Sequence, residues 1–155
     1  MPTGEGWLYP AGHKDLFTGE IAGYALGDWL TRRLANQSLL HAVTAIRLEK
    51  GLLHHSDRVS QYCSHKYQGL LRQFGLEVSM NGCGNCFDNA PMESFCRIIK
   101  QELINHRHYR TRREAIGDII EYIEVFYNRQ RLQAKLGYLS PVAYARKYYA
   151  GLVAA

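Results

Sequence analysis

Short apolar runs alternate along this chain with stretches of helical period, and that alternation limits its fold more than any other property. Residues 7–13 and 20–26 flank Thr18-Gly19 and read as two strands of a hairpin with a short turn. Pro10 counts against a regular central strand there. Across residues 31–48, Leu34, Leu39, Leu40, Val43 and Ile46 recur at helical spacing. Residues 52–55 read as a short strand that ends in the polar run Ser56-Asp57-Arg58. A helix is expected over 64–74, capped by Ser64 and stopped by Gly75. Residues 76–80 read as a strand, and Asn81-Gly82-Cys83-Gly84-Asn85-Cys86 as a glycine-rich loop. After Asp88-Asn89-Ala90-Pro91 a helix begins, with Met92, Phe95, Ile98, Ile99 and Leu103 on one face. Another is expected over 112–127, striped by Ile116, Ile119, Ile120, Ile123 and Phe126, and a last one over 141–149. Strand–strand–helix–strand–helix–strand–helix–helix is the order of an α/β sandwich.

The 155 residues are enough for one domain with a single core. No window of eighteen residues is continuously apolar, so no membrane partner is expected. The first residues lack the basic and apolar segments of a signal peptide, which makes the cytoplasm the expected location. The net charge of +5 is unevenly spread: residues 100–155 hold ten Lys and Arg against five Asp and Glu, and the rest is balanced. Such a block suits a polyanion, most simply nucleic acid, or else forms a solvated helical face. Of four cysteines, Cys83 and Cys86 form a C-x-x-C that makes half of a zinc site, while Cys63 and Cys96 stand alone. Without a second close pair, free thiols are the expected state, and a zinc-binding nucleic-acid module is the rival reading.

Two carboxylates carry the candidate chemistry. Asp57 lies just past a strand's C-terminal end, where α/β proteins place their ligands. Glu93 lies in the first turn of a helix behind the glycine-rich loop. Carboxylates so placed can converge on a hard, oxygen-seeking ion such as Mg²⁺ or Mn²⁺ and serve phosphoryl transfer. Taken alone, an Asp at a strand end and a Glu in a helix are common.

Their surroundings are not common. His54-His55-Ser56-Asp57-Arg58-Val59-Ser60-Gln61-Tyr62 resembles the "HSDRGSQY" signature of insertion-sequence transposases of the IS-three type. Thirty-five residues separate Asp57 from Glu93, the spacing of the D,D(35)E class that includes retroviral integrases. The run from Gly84 to Phe95 resembles "GNCYDNAPMESF". Residues 124–131 and 136–141 resemble the "FYNRQR…LGYLSP" block. Four blocks in order span nearly the whole chain.

This resemblance implies an RNase H-like mixed sheet flanked by helices, and a metal-dependent polynucleotidyl transferase core for DNA transposition and integration. Asp57 and Glu93 would be catalytic and bind Mg²⁺ or Mn²⁺, while element-end inverted repeats and target DNA would be the partners. Backbone-phosphate contacts are expected of Arg58, Lys100, Arg107, Arg110 and Arg112. The same is expected of Arg113, Arg129, Arg131 and Lys135. For any one of them a solvated helix face is the competing reading. His55 is expected near the site and His54 inside the strand. Asp15 and Asp88 are read as structural, and Tyr122, Tyr127, Tyr138 and Tyr144 as core residues.

The family's first catalytic Asp lies in a "TDITYIPT"-like strand, in a register about four residues before Met1. That strand is central in a sheet ordered 3-2-1-4-5. The expectation is therefore a core lacking its first strand, a truncated frame with two of three acidic ligands and little or no activity alone. The alternative is a non-catalytic fragment that binds DNA, or that pairs with itself or a full-length transposase and modulates it. Val59, Gln133 and Gly82-Cys83 depart from the family pattern.

Overall fold

The chain opens with a small hairpin that sequence reading merges into the strand after it. In the computed structural model, which describes residues 1–46, 51–56, 61–80 and 90–153, β1 (Pro2–Thr3) pairs antiparallel with β2 (Gly6–Trp7). Met1 and Leu8 extend the pair by exchanging both main-chain hydrogen bonds, at 2.7 and 2.8 Å. The chain then runs on as β3 (Tyr9–Lys14), antiparallel to β4 (Ile21–Gly27) with Ala11 opposite Ala25. The expected hairpin is present, but its turn is longer than Thr18-Gly19. Asp15 organises it, because its carboxylate accepts from the Phe17 amide and the Thr18 hydroxyl, both at 2.8 Å. Asp15, expected to be structural, is a turn residue. Pro10 is tolerated in β3 because its missing N–H falls on the edge away from β4.

Helix α1 (Arg32–Ala45) is capped by the Thr31 hydroxyl on the Leu34 amide. Parallel strands β5 (Leu53–Ser56) and β6 (Glu77–Met80) bracket α2 (His65–Gln73). Ser64 caps α2, and Gly75 ends it at φ 69°. The strands thus form three two-stranded sheets, and among the described residues nothing joins β3 to β5. A mixed sheet without its central strand would look so.

Each face of β3–β4 has its own helical cover. On one, Ala11, Gly23 and Ala25 meet α1, and the approach is very close: a Cβ on Gly23 would fall 2.1 Å from the Ala42 nitrogen. The far side of α1 packs Ala35 and Leu39 against Tyr67, Leu71 and Leu76, so this helix bridges the two sheets. On the other face, Leu8 and Ile21 share a core with Phe95 and Ile99 of α3 (Ala90–Glu102) and Ala115 and Ile119 of α4 (Arg112–Glu121). A Thr111–Glu114 capping box starts α4.

The expected helix over 112–127 changes character partway. Residues Tyr122–Tyr127 form a π-helix, with Asn128 N–H bonded to the Ile123 carbonyl and Arg131 N–H to that of Phe126. The extra residue per turn brings Asn128 under β4. There its side-chain amide accepts from Ile21 N–H at 2.9 Å and donates to Ile21 C=O at 3.1 Å. A 3₁₀ turn (Ala134–Leu136) and α5 (Pro141–Val153), longer than expected, complete the chain. Tyr122 and Tyr127 are buried and half-buried Tyr144 meets Phe17 edge-on, but Tyr138 is 71% exposed. Its backbone, at φ 59°, turns it out of the chain reversal.

Two glycines separate close packing from simple helix propensity. Gly23→Ala is expected to cost 1–3 kcal/mol or more, because backbone rather than a flexible side chain is in the way. Gly69→Ala, in α2 with nothing within 4 Å, is expected to stabilise by about 0.5–1 kcal/mol. Urea unfolding of both variants reads the contrast.

Candidate active-site cleft

A cleft of about 1960 Å³ opens between the two sheets. Gly12, His13 and Lys14 of β3 line one wall and Leu53 to Ser56 of β5 the other, while α1 and α3 close it from opposite faces. Glu93 enters from the first turn of α3, where the positive helix end favours a carboxylate. Arg97 and Lys100 follow at one and two turns and line the same cleft. Sequence reading singled out Lys100 but neither Arg97 nor Lys14. The spacing of 93, 97 and 100 on one helix face was the available signal.

Ser56, the last residue of β5, is buried in this cleft, and Asp57 and Arg58 follow it outside the described residues. Val59, Asp88 and the loop bearing Gly82, Cys83 and Cys86 lie outside them too. Among the described residues no three His, Cys, Asp or Glu side chains converge as a ready metal site. Cys63 and Cys96 are free thiols, and burial pushes the Cys96 thiol up, which disfavours its thiolate.

The adjacent histidines face different surroundings. His54 Nε2 meets the Tyr67 hydroxyl at 3.0 Å, and its ring lies 5.4 Å from that of His13. His13 Nε2 meets the Ser38 hydroxyl at 3.1 Å. His55 instead shares a hydrogen bond with Ser79, its cross-strand neighbour on β6. Among the described residues, His54 Nδ1, His55 Nε2 and Ser56 Oγ are buried without a partner. Both histidines line the cleft, His54 held there by Tyr67 and His55 by Ser79.

Most of the basic residues expected to meet DNA lie outside the cleft lining. The Arg131 guanidinium grips Glu102 through two nitrogens at 2.8–3.1 Å and lies over the Tyr127 ring. This bond holds the Glu102 carboxyl below its ordinary range. Arg112 donates to the Trp7 carbonyl and Arg129 to that of Glu124. Arg107 sits 3.7 Å from Asp118, while Arg110, Arg113 and Lys135 are exposed.

Burial lowers His13 to about 3, with neighbouring His54 adding to the effect, and lowers His54 to about 4. Both rings are thus neutral in the fold, while in the unfolded chain they take up protons near 6.5. Below that pH the unfolded state binds more protons, so stability falls as pH drops from 6.5 through 4 to 3. The expected slope within the window is up to about 1.4 kcal/mol per pH unit for each ring. Urea titrations at pH 7 and 5 measure it. His54→Gln, which keeps a partner for Tyr67 but cannot protonate there, is expected to flatten it.

Residues 1–86 match an integrase core domain model, and residues 93–148 match a second model of the same description. The chain is 50% identical over 149 residues to an IS600 insertion-element 31 kDa protein from Shigella sonnei, covering 96% of this chain and 55% of that protein. It is 43% identical over 141 residues to the IS904 transposase of Lactococcus lactis, covering 91% and 56%. With the InsF transposase of IS3A from Escherichia coli it shares 36% over 147 residues, covering 95% and 51%. The chain thus spans about half the length of these curated relatives. In fold it resembles the catalytic core of BIV integrase, with a TM-score of 0.63 at 15% identity over 94% of this chain and 89% of that one. The HTLV-2 integrase core, solved in complex with magnesium, gives a TM-score of 0.62 at 14% identity over 88% and 90%. By its own sequence and by its relatives, the chain belongs to the integrase core family and is akin to the transposases of IS3-type insertion sequences.

Proposed function

We propose that this chain forms the metal- and DNA-handling part of a transposase core that acts by phosphoryl transfer in DNA transposition. On this reading Asp57 and Glu93 are the catalytic carboxylates, and all 155 residues make one core. One observation carries the reading. Glu93, Arg97 and Lys100 stand on successive turns of α3 and line the cleft that also receives the end of β5, one residue before Asp57.

The donor chemistry fits a hard divalent ion. Glu93 is exposed at the cleft, and the buried, unpartnered Ser56 Oγ and His55 Nε2 of the same lining leave polar capacity unused among the described residues. Asp57 and Glu93 would hold Mg²⁺ or Mn²⁺. When bound, the ion supplies charge neutralisation at the phosphoryl group. Arg97 and Lys100 hold the nucleic-acid backbone as point charges beside the carboxylates. Lys14 serves the other wall, its ammonium fixed by a 3.0 Å bond to the Tyr127 hydroxyl. Asp15 adds no third ligand, because the turn occupies its carboxylate. The chain by itself is therefore proposed to bind metal and duplex DNA without joining ends.

Mn²⁺ titration and salt-dependent DNA binding test both halves. Asp57→Asn and Glu93→Gln are expected to weaken Mn²⁺ binding at least tenfold without weakening metal-free DNA binding, which loses one repelling charge in each. Arg97→Ala and Lys100→Ala are each expected to lower the salt slope of DNA binding by about one. Mn²⁺ affinity unchanged in both carboxylate variants would overturn the site. Efficient Mg²⁺-dependent strand transfer by the 155-residue chain would overturn its inactivity.

A further inference from the structure

Lys14 is a cation of the cleft whose holding group is neutral. Its ammonium donates to the Tyr127 hydroxyl at 3.0 Å, and among the described residues no carboxylate forms an ion pair with it. Other held cations differ. Glu102 grips Arg131 and Asp118 lies beside Arg107, and each carboxylate cancels a charge. A hydroxyl fixes an ammonium without cancelling anything. It takes one of three N–H groups and leaves two for phosphate oxygens. So tethered, a lysine on its flexible stem becomes a full positive charge at a fixed point.

That point is as fixed as Tyr127 itself. The Tyr127 side chain is 1% exposed and ends the π-helix, beside the Asn128 that grips β4. The Phe95 ring meets it edge-on, at 4.8 Å between centroids and 75° between planes. Phe95 stands two residues after Glu93, and at about 100° per residue the two lie on roughly opposite sides of α3. Glu93 lines the cleft while Phe95 is buried in the core behind it. Tyr127 therefore touches β3 through Lys14 and α3 through Phe95.

Arg131 completes this support. Its guanidinium lies over the Tyr127 ring, 5.9 Å from the centroid, and its fork is held by Glu102. Glu102 stands nine residues after Glu93, again on the side of α3 turned from the cleft. As the last residue of α3 it meets the negative helix end, which disfavours a carboxylate. Arg131 and the Tyr122 hydroxyl offset this. We propose that Tyr127 is a positioning residue of the cleft, which holds the Lys14 ammonium as a phosphate-binding point at a set separation from Glu93. Arg131 serves it by bracing the ring, not by meeting DNA. This inference rests on the proposed reading of the cleft as a DNA site.

Two variants that conserve charge test it on the 155-residue chain. Tyr127→Phe removes only the hydroxyl, and Arg131→Lys removes the planar fork. Each is expected to weaken metal-free binding of duplex DNA by roughly two- to tenfold, because a loose lysine must be ordered on binding. The salt slope is expected to stay the same in both, whereas Lys14→Met is expected to lower it by about one. With Lys14→Met already present, neither variant is expected to weaken binding further. Equal losses with and without Lys14 would overturn the inference, since a merely structural role does not need the ammonium. Full affinity of Tyr127→Phe would overturn it too, and full affinity of Arg131→Lys would return Arg131 to the phosphate contacts. A slope unchanged by Lys14→Met but lowered by Arg97→Ala and Lys100→Ala would overturn it while the cleft reading stands. Slopes unchanged in all three would remove both. Urea unfolding checks that each variant is folded, and Arg131→Lys, at a partly exposed side chain, carries the same test if Tyr127→Phe is not.

Discussion

The contact of α1 with β4 at Gly23 is the constraint on which the rest of this structure depends. Among the described residues the two larger sheets share no hydrogen bond, and α1 is the element that packs against both. It lies on β4 so closely that only a hydrogen atom fits between Gly23 and the Ala42 backbone. Its other flank buries Ala35 and Leu39 against α2 and Leu76. The polar pairs along this wall, His13 with Ser38 and His54 with Tyr67, are largely buried. Burial keeps both rings neutral.

The opposite face depends on one amide. Asn128 takes both main-chain groups of Ile21, at the start of β4, and so replaces a strand neighbour with a side chain. The π-helix makes this possible, because the added residue turns Tyr127 and Asn128 inward together. Tyr127 then meets Lys14 across the core, Arg131 lies over its ring, and Arg131 holds Glu102, which also accepts from the Tyr122 hydroxyl at 2.5 Å. One backbone irregularity thus ties the last third of the chain to β3, β4 and α3, and it fixes the ammonium of a cleft lysine.

Sequence alone shows what is local. Caps at Thr31, Ser64 and Thr111 carry their signal within four residues, and the helix starts follow them. The π turn is not visible this way, because its apolar stripe continues that of α4 and its cause is an Asn128 partner 107 residues away. Nor does pattern separate β1 and β2 from β3, since apolar alternation runs through Leu8 while the turn at Gly4 and Gly6 lies between polar neighbours. Position 57, the strongest motif residue, follows from its family context, whereas the place of Glu93 follows from a helix start that any reading of Asn89-Ala90-Pro91 gives. Free and engaged arginines look alike in sequence. Arg131 is held by Glu102 and lies over Tyr127, whereas Arg113 is exposed.

That difference changes what the basic third of the chain can do. Arg131 and Glu102 compensate each other, and Arg112 and Arg129 have a guanidinium N–H committed to main-chain carbonyls. Inside the cleft the described charges balance: Lys14, Arg97 and Lys100 stand against Asp15, Glu20 and Glu93. A balanced cleft exerts little net attraction on a polyanion beyond a Debye length of about 8 Å. On the proposed reading, Asp57 would tip that balance to the acidic side, and a divalent ion on Asp57 and Glu93 would reverse it. Metal and DNA binding are then coupled through charge alone, since each favours the other without any change of shape.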